Sequence, residues 1–103
     1  MIKSKFNQQT NILESEFIGD VTLVEIVNYI ISIKQNKSYP KKLKIKTNAT
    51  NANFTFSIDD LKTIVIENEK SLKKYNSITD VIIVGNPQTT AYSMLYKELS
   101  KNN

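Results

Sequence analysis

Two features of the sequence could do carboxylate chemistry: the adjacent pair Asp59-Asp60 and the isolated Asp20. General acid/base catalysis needs two groups facing one reacting centre, and helical side chains one residue apart do not share a face, so Asp59 and Asp60 form no dyad. They follow Ser57, which reads as a helix N-cap with two carboxylates in the first turn, where the positive end of the helix dipole favours them. Asp20 alone stands where a substrate would be met, and a single carboxylate does not complete an acid/base site. The chain has no Cys, His, Trp or Arg, which removes imidazole chemistry, thiolate ligation and disulfides. The reading is of a protein that is not an enzyme and needs no cofactor or metal.

Net charge leads to the same class. The formal charge of +4 is carried by fourteen cationic residues, all of them Lys. Nucleic-acid and phosphate surfaces favour the bidentate fork of Arg, so nucleic acid is not the expected partner. The N-terminus lacks a basic-then-apolar leader, and no apolar run approaches the ~18 residues of a membrane span, so a cytoplasmic protein without a transmembrane segment is expected. At 103 residues the chain is one domain, 1–103, able to bury roughly 65% of its unfolded surface around one core.

The elements that position these residues follow from the apolar spacing. Ile2–Phe6 and Ile12–Phe17 alternate with period two across a polar turn, which predicts an antiparallel hairpin with Lys5 opposite Glu14, Lys3 opposite Glu16, Phe6 opposite Leu13 and Ile2 opposite Phe17. Gly19-Asp20 is expected to break the second strand. Thr22 and Glu25 have capping-box spacing and open a helix whose stripe is Leu23, Ile26, Val27, Ile30 and Ile33. Lys42–Thr47 predicts a strand with Leu43 and Ile45 inward and three Lys outward. The tract from Asn48 to Phe56 reads as a long loop, with Phe54 and Phe56 anchoring it on the core or lining a pocket. A second helix capped by Ser57 carries Leu61, Ile64, Val65, Leu72 and Tyr75 inward. Val81–Val84, four β-branched residues in a row, predicts a strand buried on both faces. Asn86-Pro87 then sets up a third helix with Ala91, Met94, Leu95 and Leu99 on its buried side and Tyr92 and Tyr96 on a neighbouring stripe.

The implied fold is α/β: a four-stranded mixed sheet in the order β-β-α-β-α-β-α, with an N-terminal antiparallel hairpin, then parallel strands, and helices mainly on one face. With strands laid in chain order, the fourth sits at an edge and needs a cover, such as a second copy of the chain in a homodimer. In such a sheet, ligands gather beyond the carboxyl ends of the parallel strands. That places Asp20, Asn48, Thr50, Asn51, Asn53, Ser57, Asn86, Thr89 and Thr90 at one polar edge, beside Phe54 and Phe56. Two kinds of occupant fit: a protein partner recognised by this edge, or a lipid or other small apolar ligand held between the helices and the Phe54/Phe56 tract.

The order of elements, the run from Lys44 to Ser57, the run from Ile83 to Ala91 and the run from Met94 to Ser100 together resemble small bacterial STAS-like domains, also called SpoIIAA-like or STAS/Sec14 domains. The resemblance spans essentially the whole chain. It implies a non-enzymatic regulatory module: some such domains antagonise anti-sigma factors under the control of Ser/Thr phosphorylation, and others sense ligands or bind lipids. At the helix start where the antagonists carry an Asp-Ser-Ser-Gly-like string, this sequence has Phe56-Ser57-Ile58-Asp59, so the phosphoacceptor that the resemblance implies is Ser57 alone. Related domains also continue into a fifth strand and a last helix, which implies a truncated variant here.

Overall fold

The computed structural model describes residues 1–101. Its order is β1 (Ile2–Asn7), β2 (Ile12–Val21), α1 (Leu23–Gln35), β3 (Lys42–Phe54), α2 (Leu61–Leu72), β4 (Ser77–Val84) and α3 (Pro87–Lys101), with a 3₁₀ turn at Ile58–Asp60 leading into α2. The four strands form one sheet in chain order, β1 antiparallel to β2 and the rest parallel. The fold is thus the expected α/β arrangement with a mixed sheet and three helices.

The hairpin pairs as its charges dictate: Lys3 faces Glu16, Lys5 faces Glu14, Ile2 faces Phe17 and Phe6 faces Leu13. One face of the sheet is buried by Leu13, Phe17 and Val21 of β2 and by Leu43, Ile45, Ala49 and Ala52 of β3. Ile26, Ile30 and Ile33 of α1 and Leu61 and Ile64 of α2 close over that face. The opposite face carries Glu14, Glu16, Lys42, Lys44 and Lys46, all exposed. α1 begins with a full capping box, Thr22 Oγ1 accepting the Glu25 N–H while Glu25 accepts the Thr22 N–H. It ends under Lys74 and Tyr75, whose Nζ and hydroxyl donate to the Lys34 and Ile33 carbonyls at 2.6 and 2.7 Å. These are carbonyls that the last turn of a helix leaves unpaired.

Four expectations need correction. β2 does not break at Gly19-Asp20 but runs to Val21, because Gly19 takes φ +65° and lets the strand continue into a fully buried Val21. The tract from Asn48 is not a loop: β3 extends through it to Phe54. Between the pairs Glu16–Asn48 and Ile18–Asn51, β3 spends one more residue than β2. That bulge changes the spacing of the buried positions from two to three, Ala49 to Ala52, and so hides the strand's period. β4 is not covered on both faces. It lies at the sheet's edge, as chain-order strands require, with Val81 59% and Ile83 39% exposed.

The fourth correction concerns α3, which is turned from its expected phase. Met94 is 65% exposed, Leu95 37%, and Ala91 also faces solvent, while Thr89 is buried and Tyr92, Tyr96 and Leu99 pack on the core. The helix start fixes that phase. Asn86 Oδ1 caps the Thr89 N–H at 2.9 Å, and Gln88 both donates to and accepts from the Phe54 backbone at 2.9 and 3.1 Å. Of the inward residues expected on α2, Leu61, Ile64 and Val65 are buried, as is Tyr75 beyond its end; the Leu72 side chain lies outside the described residues. No described helix is long and apolar enough to cross a membrane.

Gly85, at the end of β4, lies so close to β3 that a Cβ there would stand 2.6 Å from the Thr50 carbonyl oxygen and 3.0 Å from its Cα. Backbone atoms cannot swing aside, so Gly85→Ala is expected to lower stability by about 1–3 kcal/mol, read as a lower urea midpoint at unchanged slope. An unchanged midpoint would mean that the two strand ends are further apart than this.

Candidate functional site

Because β2, β3 and β4 are parallel, their carboxyl ends lie at one end of the sheet, and short bonds tie them together. Thr55 N–H donates to the Val21 carbonyl at 3.1 Å, and the Asn86 amide donates to the Ala52 carbonyl at 3.0 Å. The strand ends are therefore brought together, but Asn48 and Thr50 lie within β3, short of its end. Much of the hydrogen-bonding capacity of the predicted polar edge is committed to the fold. Asn48 accepts the Thr50 N–H at 3.0 Å, and Ser57 Oγ accepts the Asp60 N–H at 3.3 Å while the Asp60 carboxylate accepts the Ser57 N–H at 3.0 Å. Thr89 and Thr90 each donate a hydroxyl to the Asn86 carbonyl. Asp20, Asn51 and Asn53 are exposed, and the pairing of Ile18 with Asn51 and Asp20 with Asn53 places them on the uncovered face of the sheet. Phe54 and Phe56 do anchor: their rings stack at 5.1 Å and both meet Tyr92, whose hydroxyl donates to the Phe56 carbonyl at 2.8 Å.

Behind that aromatic cluster, between the covered face of the sheet and the three helices, runs a crevice of about 100 Å³. Its walls are mostly aliphatic and aromatic, with Ile30 and Ile64 from the helices, Ile45 and Ala49 from β3, and Phe56 and Tyr92 closing one end. The crevice exists because β4 ends the sheet and α2 and α3 do not settle fully onto it: Ile78 and Ile82, which point under the helices, stay only half-buried.

A row of polar side chains crosses the floor of this crevice. On β2, Ser15 lies between Leu13 and Phe17; on β3, Thr47 lies between Ile45 and Ala49; on β4, Asp80 lies between Ile78 and Ile82. Ser15 and Thr47 are buried and stand opposite each other in the ladder. The row separates two apolar clusters, one around Phe17, Ala49 and Ile64, the other around Leu13, Leu43 and Tyr75. Tyr29 of α1 packs on both and hydrogen-bonds to the Ser15 hydroxyl. On the opposite wall, Asn68 of α2 donates to the Tyr96 hydroxyl of α3.

The two ionisable members of the row respond to their surroundings. Burial pushes the Tyr29 phenol well above its ordinary value, which keeps it a neutral hydrogen-bonding group. Asp80 is exposed at the mouth of the crevice, yet the walls take away much of its water. That desolvation pushes its carboxyl from 3.8 up to about 6, against the opposing effects of the Thr47 hydroxyl, which donates to it at 3.1 Å, and of the Lys97 charge.

None of these crevice residues except Phe54 and Phe56 was singled out as a site from the sequence. The signal was present in the strands' own period, since Ser15 and Thr47 are polar at inward positions and Asp80 stands two residues from both Ile78 and Ile82. What no pattern could supply was that Asn68, Tyr96 and Tyr29, from three helices, would line the same crevice.

No protein-family model matches this chain, and no curated protein matches it.

Asp80 gives a pH signature of known sign. Its carboxyl binds a proton more tightly in the folded than in the unfolded chain, so the folded state holds more protons between pH 4 and 6. Stability from this group is then highest below about pH 4 and declines as pH rises to about 6. Asp80→Asn is expected to flatten that part of the stability curve and to unfold at no lower urea concentration than the parent at pH 7.5. A variant less stable than the parent at pH 7.5 would show that the ionised carboxylate is a net stabiliser.

Proposed function

We propose that this chain is a non-enzymatic binding module, of the STAS-like type that its sequence resembles, which holds a small, largely apolar ligand in the crevice between the sheet and the helices. The observation that supports this reading is the crevice itself: a concave, mainly hydrocarbon surface with a few convergent polar groups is the usual form of a small-molecule site. Its size restricts the occupant. An enclosed apolar cavity of about 150 Å³ takes up benzene, so a crevice of about 100 Å³ fits a short chain or a small ring, and a two-tailed bilayer lipid would enter only by one chain end. Catalysis finds little support among the described residues, where no group of three or more acidic side chains gathers to hold a metal ion and Asp80 is the one carboxylate lining the crevice.

A phosphoswitch at Ser57 gains less from the geometry. The Ser57 hydroxyl is half of a reciprocal cap with Asp60, and Asp59 is its near neighbour. A phosphate placed there would meet two carboxylates and break the cap, so it would loosen the entry to α2 and would find no cationic partner in that turn.

1-Hexanol is a suitable probe of the crevice. Its addition to labelled protein is expected to shift backbone amide resonances of crevice residues on β3, α2 and α3 in preference to those of the Lys/Glu face. Ser93→Phe, which places a ring in the crevice wall, should weaken hexanol binding at least tenfold while leaving the circular dichroism spectrum unchanged. Shifts scattered over the surface, or undiminished in Ser93→Phe, would remove the reading.

A second reading, regulatory contact with a protein partner or with a second copy of the chain, is favoured by the unpaired edge of β4 and its exposed Val81 and Ile83. β-branched side chains on an open strand edge invite another strand. Sedimentation over a hundredfold range of concentration is expected to reveal a dimer in the parent and none in Val81→Lys. A parent that remains monomeric throughout would leave β4 without a self-partner.

A further inference from the structure

We infer that the crevice selects ligands with a cationic amine head, for which Asp80 is the counter-ion and the apolar walls receive the tail. The inference rests on the crevice being a ligand site and goes further by naming the head group.

The first support is the distribution of charge. The chain carries fourteen Lys and a net charge of +4, yet among the described residues no Lys lines the crevice, and its one charged lining residue is Asp80. The surplus of cations thus stays out of this crevice, while a carboxylate stands in it. A crevice meant for an acyl carboxylate or a phosphate would be built the other way round, with Lys on the floor.

The second support is hydrogen-bonding capacity that the described protein groups leave open to solvent. An ionised carboxylate accepts at about four lone-pair positions. Among the described residues Asp80 receives one hydrogen bond, from Thr47, and the ion pairs formed by side chains do not include it. The groups facing it from the neighbouring elements are the neutral Tyr29 on α1 and, on α3, Lys97, which is exposed and acts only at a distance. A charge in poorly hydrated surroundings gains most from a partner that brings both opposite charge and N–H donors. A primary ammonium brings three donors and a +1 charge in a volume small enough to sit between Ile78 and Ile82, with Thr47 already holding the carboxylate in place.

The third support is polarity along the site. The polar row marks one level of the sheet, and the crevice continues from it along β3 past Ala49 to the rings of Phe54, Phe56 and Tyr92. A ligand anchored at Asp80 would therefore lie with its hydrocarbon end toward the aromatic cluster. At neutral pH Asp80 is largely ionised, since its carboxyl titrates near 6, and the same charge repels fatty acids and other anionic amphiphiles.

Three probes of equal tail length separate the possibilities: hexylammonium, 1-hexanol and hexanoate, titrated at pH 7.5 into the parent and into D80N and followed by amide chemical shifts. In the parent, hexylammonium is expected to bind at least tenfold more tightly than hexanol, with hexanoate the weakest. In D80N the amine should lose its advantage while hexanol binding stays within about twofold of the parent. If hexanol binds and the amine has no advantage, or keeps its advantage in D80N, the head-group inference fails and the apolar site stands. If none of the three perturbs the crevice, the site itself is refuted. Should D80N not fold, the Asp80 carboxyl carbon of the parent decides: saturating hexylammonium should move its titration midpoint down by about one unit from 6, and an unmoved midpoint overturns the inference.

Discussion

All burial in this protein happens on one side of one sheet, and that constraint shapes the rest. Strands taken in chain order, with a helix after each of the last three, send every helix to the same face when the crossovers keep their usual right hand. The covered face must then supply the whole core from Leu13, Phe17, Val21, Leu43, Ile45, Ala49 and Ala52. The open face must be kept in water by Glu14, Glu16 and the Lys residues of β3. The price is paid at the last strand: β4 has a neighbour on one side only, and its helix, α3, leans over β3 as well as over β4. Among the described residues, the crevice lies where three helices cover a sheet whose final strand pairs on one side.

Within that arrangement the polar row is an unusual choice. Hydrocarbon side chains at Ser15, Thr47 and Asp80 would have joined the two apolar clusters into one and filled the floor. Buried polar groups are tolerated when each finds a partner. Ser15 finds Tyr29, and Thr47 finds Asp80; only the carboxylate is left with spare acceptors. The row therefore divides into a buried half under α1, where Ser15 meets Tyr29, and an exposed half toward β4, where Asp80 opens to solvent.

How much of this was legible in the sequence depended on whether the deciding interaction was local. The hairpin register could be read because alternation and charge pairing agree over a short turn, and the Thr22–Glu25 cap because both partners lie within one helical turn. β3 beyond Thr47 could not be read. Asn and Thr are turn formers, the inward residues there are small alanines, and the bulge shifts the period at that place. The phase of α3 was hidden for another reason. Met94 and Leu95 look like core residues and Tyr92 and Tyr96 like flanking ones, but the helix is docked by Gln88 on Phe54 and by Asn86 on its own first turn. Those contacts rotate the tyrosines inward, and no local pattern records them. Asp80 precedes the Val81–Val84 run, where a carboxylate does not look like an inward residue; in the structure it lies within β4, two residues from Ile78 and from Ile82.

The polar edge is more committed to the fold than its composition suggests. Asn, Ser and Thr at the carboxyl ends of parallel strands look like a recognition surface, and helix starts there suit anions. In this chain the same groups close caps, turns and strand ends: Asn86 holds Ala52 and Thr89, Ser57 holds Asp60, and Gln88 completes the edge of Phe54. A side chain that already satisfies backbone groups must break those bonds before it can serve a ligand, and each such bond contributes about 0.5–1.5 kcal/mol to the fold. Recognition through that edge would consequently draw on Asp20, Asn51 and Asn53, which face the open side of the sheet, whereas a ligand in the crevice would meet Asp80 without dismantling any cap. The balance of free capacity, more than the count of polar residues, is what favours the crevice over the edge in the proposed reading.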